Sequence, residues 1–278
     1  MARRVNVLVT GIPRAGTTLV GALLDSLPNT VCLSEPPWHW HKSSGGKLDI
    51  GPDPTGEIFA KWLVGDFVTL RRKLVAGEPV QDRRSDNNQS LTNYYAARSS
   101  LEQSEHSAVH LKEFSAASLN EDFTLAIKHN GPYLSALGPL VELDFFTIIG
   151  LVRHPVDVIN SWRALNLPVS RGKMHDAARC WPEMARATDN GEVLQRQVMI
   201  YDLICERLYS YRDRVSVLRY EDVVSDPACL ARAVGSPSQP ATELIGKPSR
   251  SVSEQEFALI SDALLKYGRH YRLFYPEP

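Results

Sequence analysis

The sequence predicts an α/β fold, three layers in the α/β/α sense around a central parallel sheet. Two observations carry this. Short β-branched or strongly apolar runs alternate with helical-period segments, the pattern of strands joined by crossover helices. The two most apolar runs, Val5 to Thr10 and Phe145 to Val152, are apolar without alternation, as strands buried on both faces are. With 278 residues the chain is long enough for one large α/β core, and a single domain over 1–278 is the simplest division.

The elements follow in order. Val5 to Thr10 is a strand bounded by Gly11 and Pro13. From Thr17, Leu19, Val20, Leu23, Leu24 and Leu27 recur at helical spacing until Pro28-Asn29 stops the pattern. Val31 to Leu33 is a brief second strand running into Ser34-Glu35-Pro36-Pro37. Residues 42–110 are less regular: a Gly/Pro/Asp-rich stretch, an amphipathic helix over about 58–75, then a polar segment, which together read as an insertion or lid. Phe123 to Ile127 is a strand, Tyr133 to Val141 a short helix, and Phe145 to Val152 a strand feeding a helix that opens at Pro155, a favoured first-turn residue. Helices over about 174–188 and 191–211, a strand from Val215 to Tyr220 and a helix from Glu254 to Tyr267 complete the chain.

Lys and Arg number 31 against 32 Asp and Glu, so no global field draws the chain to nucleic acid or an anionic membrane, and any anion site has to be local. Cys32, Cys180, Cys205 and Cys229 lack the CxxC spacing of a zinc or redox site and fit a reducing, cytoplasmic setting. Met-Ala-Arg-Arg leads into an apolar run too short for an export signal, and no stretch is long enough to span a bilayer.

Gly11-Ile12-Pro13-Arg14-Ala15-Gly16-Thr17-Thr18 has the frame of a Walker A loop between a strand and a helix, which makes the expected fold P-loop NTPase-like. Backbone N–H groups at a helix N-terminus cradle anions. The position an NTPase gives to lysine is Thr17, and Arg14 is the cation inside the loop, which argues against ATP or GTP hydrolysis. The alternative is a plain turn capped by Thr17 or Thr18.

Pro13-Arg14-Ala15-Gly16-Thr17-Thr18-Leu19 resembles the 5′-phosphosulfate loop of the sulfotransferase superfamily, with Ala15 where relatives often carry serine. Ile148 to Trp162 resembles the family's second signature, a strand ending in arginine with a serine eight residues on, here Arg153 and Ser161. An arginine at a strand's C-terminal end reaches the crevice where α/β sheets bind ligands and can fork onto two phosphate oxygens. The resemblance implies 3′-phosphoadenosine-5′-phosphosulfate (PAPS) as donor, leaving the product PAP, and an acceptor hydroxyl on a small molecule, carbohydrate or tyrosine. It implies cofactor contacts from Arg14, Ala15, Gly16, Thr17, Thr18, Arg153 and Ser161, from Tyr220 in the Arg-Tyr-Glu ending a later strand, and from Arg250 before the last long helix. Tyr220 is open to a plain core role.

For catalysis the register is closest to the tyrosylprotein and bacterial sulfotransferases. It implies Arg14 and Lys128 on the transferring group and Glu35 as general base, on a strand next to that of Arg14. Glu35 could instead cap a turn or pair with Arg14. The small-molecule branch uses histidine, so His39, His41, His110 and His129 are rivals, His129 on the face opposite Lys128. Trp38-His39-Trp40-His41 is either an acceptor wall or core. No metal is implied. The rival functions are a P-loop kinase-like phosphotransferase and a non-catalytic nucleotide-binding protein.

Overall fold

Val7, Leu8 and Val9 are wholly buried and form the middle of β1 (Asn6–Gly11). This strand lies at the centre of a five-stranded sheet completed by β2 (Thr30–Ser34), β5 (Thr124–Lys128), β6 (Thr147–Val152) and β7 (Val215–Arg219). The order is β2-β5-β1-β6-β7, every neighbouring pair parallel. The computed structural model describes residues 5–36, 53–84, 90–92, 111–116, 119–245 and 252–278.

Side-chain alternation along the strands gives the sheet two buried faces. Cys32, Ala126, Lys128, Val7 and Val9 share one, by register. A Cβ added at Gly21 in α1 (Thr17–Asp25) would sit 3.3 Å from Cys32 Sγ, so α1 covers that face. Gly150 looks the other way, its missing Cβ leaving room for Leu208 of α8 (Val193–Ser210). Helices thus cover both faces, the three-layer arrangement expected.

The helix at 58–75 is α2 (Glu57–Val75), with Phe59, Leu63, Phe67, Leu70 and Leu74 buried in the same core as the sheet. It leads into β3 (Val80–Arg83), which pairs antiparallel with β4 (Leu111–Phe114), a small sheet that the sequence pattern did not signal. Asp82 of β3 accepts from Ser34 N at 2.7 Å, and Asp25 accepts from Cys32 N at 2.7 Å. Arg84 joins the two carboxylates, 2.8 Å from Asp82 and 3.0 Å from Asp25, and its guanidinium lies 3.6 Å over Phe114.

The expected helix from Tyr133 to Val141 is two short ones, α3 (Gly131–Ser135) and α4 (Leu137–Glu142). After β6 come α5 (Pro155–Arg163), α6 (His175–Ala178) and α7 (Pro182–Asp189) ahead of α8. β7 ends at Arg219, and Tyr220 opens α9 (Tyr220–Ser225) instead of closing the strand. α10 (Ala228–Val234) and α11 (Glu254–Tyr267) follow. Among the described residues no helix is long and apolar enough to cross a membrane, and no group of three His, Cys, Asp or Glu could hold a metal ion.

Candidate active site

The loop between β1 and α1 depends on two glycines. Gly11 has φ 143°, and a Cβ there would lie 2.3 Å from Leu151 O on β6. Gly16 has φ 90°, and a Cβ would lie 2.4 Å from the Tyr220 ring. Neither position admits a side chain, so β6 and Tyr220 close tightly on the loop. α1 starts after Gly16 with no side-chain cap, which leaves the threonine-capped turn without support and the first-turn N–H groups facing the loop.

Between the glycines, Arg14 stands at φ 74°, a conformation costing a non-glycine residue roughly 1–2 kcal/mol. Such a residue persists when its surroundings over-determine it. Here Trp162 Nε1 donates to Pro13 O at 2.8 Å and Arg14 Nε donates to Ser161 Oγ at 3.2 Å, so adjacent residues of α5 hold adjacent residues of the loop. Ala15 and Thr17 are buried in the loop's wall.

Arg153 follows β6, beside the loop. Its backbone is pinned twice: Tyr201 OH donates to Arg153 O at 2.6 Å, and His154 N donates to Glu221 at 3.1 Å, a carboxylate that also accepts from Tyr275 OH at 2.6 Å. The guanidinium lies 4.5 Å over the Tyr220 ring and 3.5 Å from Asp157. Its Nε is buried with no hydrogen-bond partner among the described residues. The Tyr220 ring thus touches both turns, against Gly16 on one side and Arg153 on the other. Arg250 and the Trp38 to His41 cluster, with His110, lie outside the described residues.

Glu35 and Lys128 meet one strand further along the sheet. The sequence reading put the strand of Glu35 next to β1, but β5 lies between them, because β2 pairs with β5 and β5 with β1. Ser34 is in register with Lys128, Glu35 N donates to Lys128 O at 2.8 Å, and the Lys128 ammonium is hydrogen-bonded to Glu35 Oε1. Lys128 is buried and Glu35 stands at φ 48°. Burial alone would push the Glu35 carboxyl up; the Lys128 ammonium, then His129 and the Arg83 guanidinium, outweigh it and hold it down to about 2. Pairing of Glu35 with Arg14, the structural alternative, is replaced by pairing with Lys128. His129 turns to the opposite face, its ring 5.9 Å from Tyr133.

Several residues at the site had no sequence signal. Arg83 donates from Nε to Glu35 O at 3.3 Å, a role that only the β3–β4 hairpin creates. Tyr201 sits mid-helix among apolar neighbours and reads as core. Trp162 lies within the second signature, but nothing in its spacing points at Pro13.

Fold and site define a class: an α/β protein in which neighbouring parallel strands are each followed by an arginine-bearing turn, with an acid–lysine pair at the end of the next strands. The family follows from comparison. A model described as "Sulfotransferase family" matches residues 6–236, and the chain belongs to that family; it is a sulfotransferase. A search of curated proteins finds no match. Among solved structures, a sulfotransferase from Alicyclobacillus acidocaldarius is 13% identical and aligns over 99% of this chain and 97% of its own, with a TM-score of 0.47. The sulfotransferase domain from the curacin biosynthetic pathway is 16% identical over 96% of this chain and 87% of its own, TM-score 0.43. Sulfotransferase STF9 from Mycobacterium avium is 14% identical over 97% and 69%, TM-score 0.37.

Proposed function

We propose that the chain transfers a sulfuryl group from PAPS to a hydroxyl of its acceptor, with Arg14 and the loop amides of Ala15 to Thr18 at the 5′ end and Arg153 with Ser161 at the 3′ end. The observation that carries this reading is the buried Arg153 Nε, without a hydrogen-bond partner among the described residues, just past a strand adjacent to the loop strand, with Ser161 of the following helix bonded to Arg14. Two anion-facing turns on neighbouring strands suit a nucleotide phosphorylated at both ends, and the Tyr220 ring between them offers a flat surface. Arg250 would join the 3′ contacts.

When bound, PAPS supplies the sulfuryl group and a phosphate leaving group. Transfer of this kind is in-line and loose by analogy with phosphoryl transfer, so positioning and charge stabilisation dominate. Arg14 stabilises charge on the leaving phosphate. Lys128 serves the transferring group, and Glu35 takes the acceptor proton. A carboxylate held at about 2 is a poor base, so Glu35 gains basicity only where its ion pair with Lys128 is loosened, which ties the two residues' roles together. The segment 42–110 would carry acceptor contacts within a single domain over 1–278, and the free thiols of Cys32, Cys180, Cys205 and Cys229 support a cytoplasmic location.

Calorimetry tests the donor assignment. PAP should bind about ten- to a hundredfold more tightly than 5′-AMP, the worth of a charge-assisted arginine contact, and Arg153→Ala should remove most of that preference while leaving 5′-AMP affinity unchanged. Equal affinities for PAP and 5′-AMP in the unaltered protein would sink it.

A further inference from the structure

We infer that Trp162 is a positioning residue for the 5′ anion loop: its indole N–H fixes the orientation of the peptide unit between Pro13 and Arg14. The inference rests on the reading of this loop as the 5′ site.

The indole is fully buried, and its Nε1 donates to Pro13 O at 2.8 Å. A trans peptide is planar, so the Arg14 N–H points opposite to the Pro13 carbonyl. With the carbonyl drawn inward to Trp162, that N–H is turned outward, to the side from which an anion enters. The same peptide unit sets the Arg14 φ of 74°. Flipping it would bring Arg14 into the ordinary negative-φ region, relieve the left-handed strain and present a carbonyl oxygen, not an N–H, to the anion. The loop is therefore poised between two peptide orientations. Among the described residues two contacts oppose the flip, Trp162 on the carbonyl and the Arg14 Nε to Ser161 Oγ bond at 3.2 Å, whereas the Ala15 N to Ile12 O turn at 2.9 Å is compatible with both orientations. Of these, only the indole acts on the peptide unit itself.

Ser161 and Trp162 are consecutive on α5, the helix that begins two residues after Arg153. The turn that carries Arg153 is also fixed, through His154 N on Glu221 and Tyr201 OH on Arg153 O. α5 is thus anchored at its start by the 3′ turn and grips the 5′ loop near its end, and Trp162 transmits that anchoring to the loop backbone.

The test is Trp162→Phe, which keeps an aromatic ring in the core and removes the donor. Calorimetry is run with 5′-AMP, PAP and 3′-AMP on the folded variant. Affinity for 5′-AMP and for PAP should each fall about tenfold, the cost of an unanswered buried carbonyl and a misdirected amide, while 3′-AMP binds as before. An unchanged 5′-AMP affinity, or an equal loss for 3′-AMP, overturns the inference, the second because it marks general loosening of α5. The donor reading fails by a different result, a wild-type protein that binds PAP no better than 5′-AMP, and the 5′-AMP comparison stands apart from it. Should Trp162→Phe not fold, hydrogen exchange of the Trp162 indole N–H in the unaltered protein decides: 5′-AMP should slow it and 3′-AMP should not. Equal effects of the two nucleotides, or none, would refute the positioning role.

Discussion

Replacing Lys128 with methionine removes the ammonium that outweighs burial at Glu35. In the native protein the Glu35 carboxyl is depressed from its ordinary 4.5 to about 2. A depressed acid stabilises the fold fully above its unfolded value, and the stabilisation is lost as pH falls towards the folded value. The interval corresponds to about 3 kcal/mol at pH 7 and, by the same linkage, about half that at pH 3. In Lys128→Met the carboxyl is left with burial pushing it up against only His129 and Arg83, so this contribution disappears. The variant should therefore be less stable than the parent by about 3 kcal/mol at pH 7, in line with other buried pairs that lose one partner. The gap should narrow by roughly 1–2 kcal/mol between pH 7 and pH 3. Urea unfolding of both proteins across that range measures it, since carboxylates common to both cancel in the difference. A gap of constant size would mean that Lys128 does not set the Glu35 titration, and the account of a base stored as an ion pair would fall with it.

Glu35→Gln should lower kcat by about 10²–10⁴-fold while PAP affinity stays within a few-fold, because the proton acceptor acts on the acceptor substrate alone; normal turnover would return the base to a histidine such as His39 or His41. Incubation with EDTA should leave sulfuryl transfer intact, and restoration of a lost activity by Mg²⁺ would contradict the cationic-residue mechanism. Gly16→Ala should abolish PAP binding in calorimetry, since φ 90° and the Tyr220 ring 2.4 Å from the added Cβ both forbid it; retained binding would show the loop to be less constrained than its geometry indicates.

The strand, loop and helix from Val5 to Leu27 were legible because every signal there is local: a β-branched run, glycines at the turn, then apolar residues at helical spacing. The same holds for Pro155 and for the helix Glu254–Tyr267, whose N-cap Ser253 accepts from Glu256 N. Sheet order was not legible. Nothing in Val31 to Leu33 says that β5, almost a hundred residues later, pairs with it before β1 does, and so Glu35 was placed one strand too close to Arg14 and its ion pair with Lys128 was not foreseen. Arg83 was missed for the same reason: its approach to Glu35 depends on a hairpin between residues about thirty positions apart. The arginines at strand ends could be read because a strand's polarity fixes where its last side chain goes, whereas the contacts that hold them, from Tyr201, Glu221 and Tyr275, come from distant parts of the chain.

Among the described residues β2 is the outer strand on its side of the sheet, and outer strands offer a row of unpaired amides to any other extended chain. Here Cys32 N and Ser34 N, the alternate donors that face away from β5, are already given to the carboxylates of Asp25 and Asp82, with Arg84 clamped across both acids. An incoming strand would have to displace two hydrogen-bonded carboxylates and break their ion pairs to add itself to β2. The acidic clamp therefore guards this edge against strand addition, and because it grips the strand that delivers Glu35, the same few residues also hold the backbone under that acid in place.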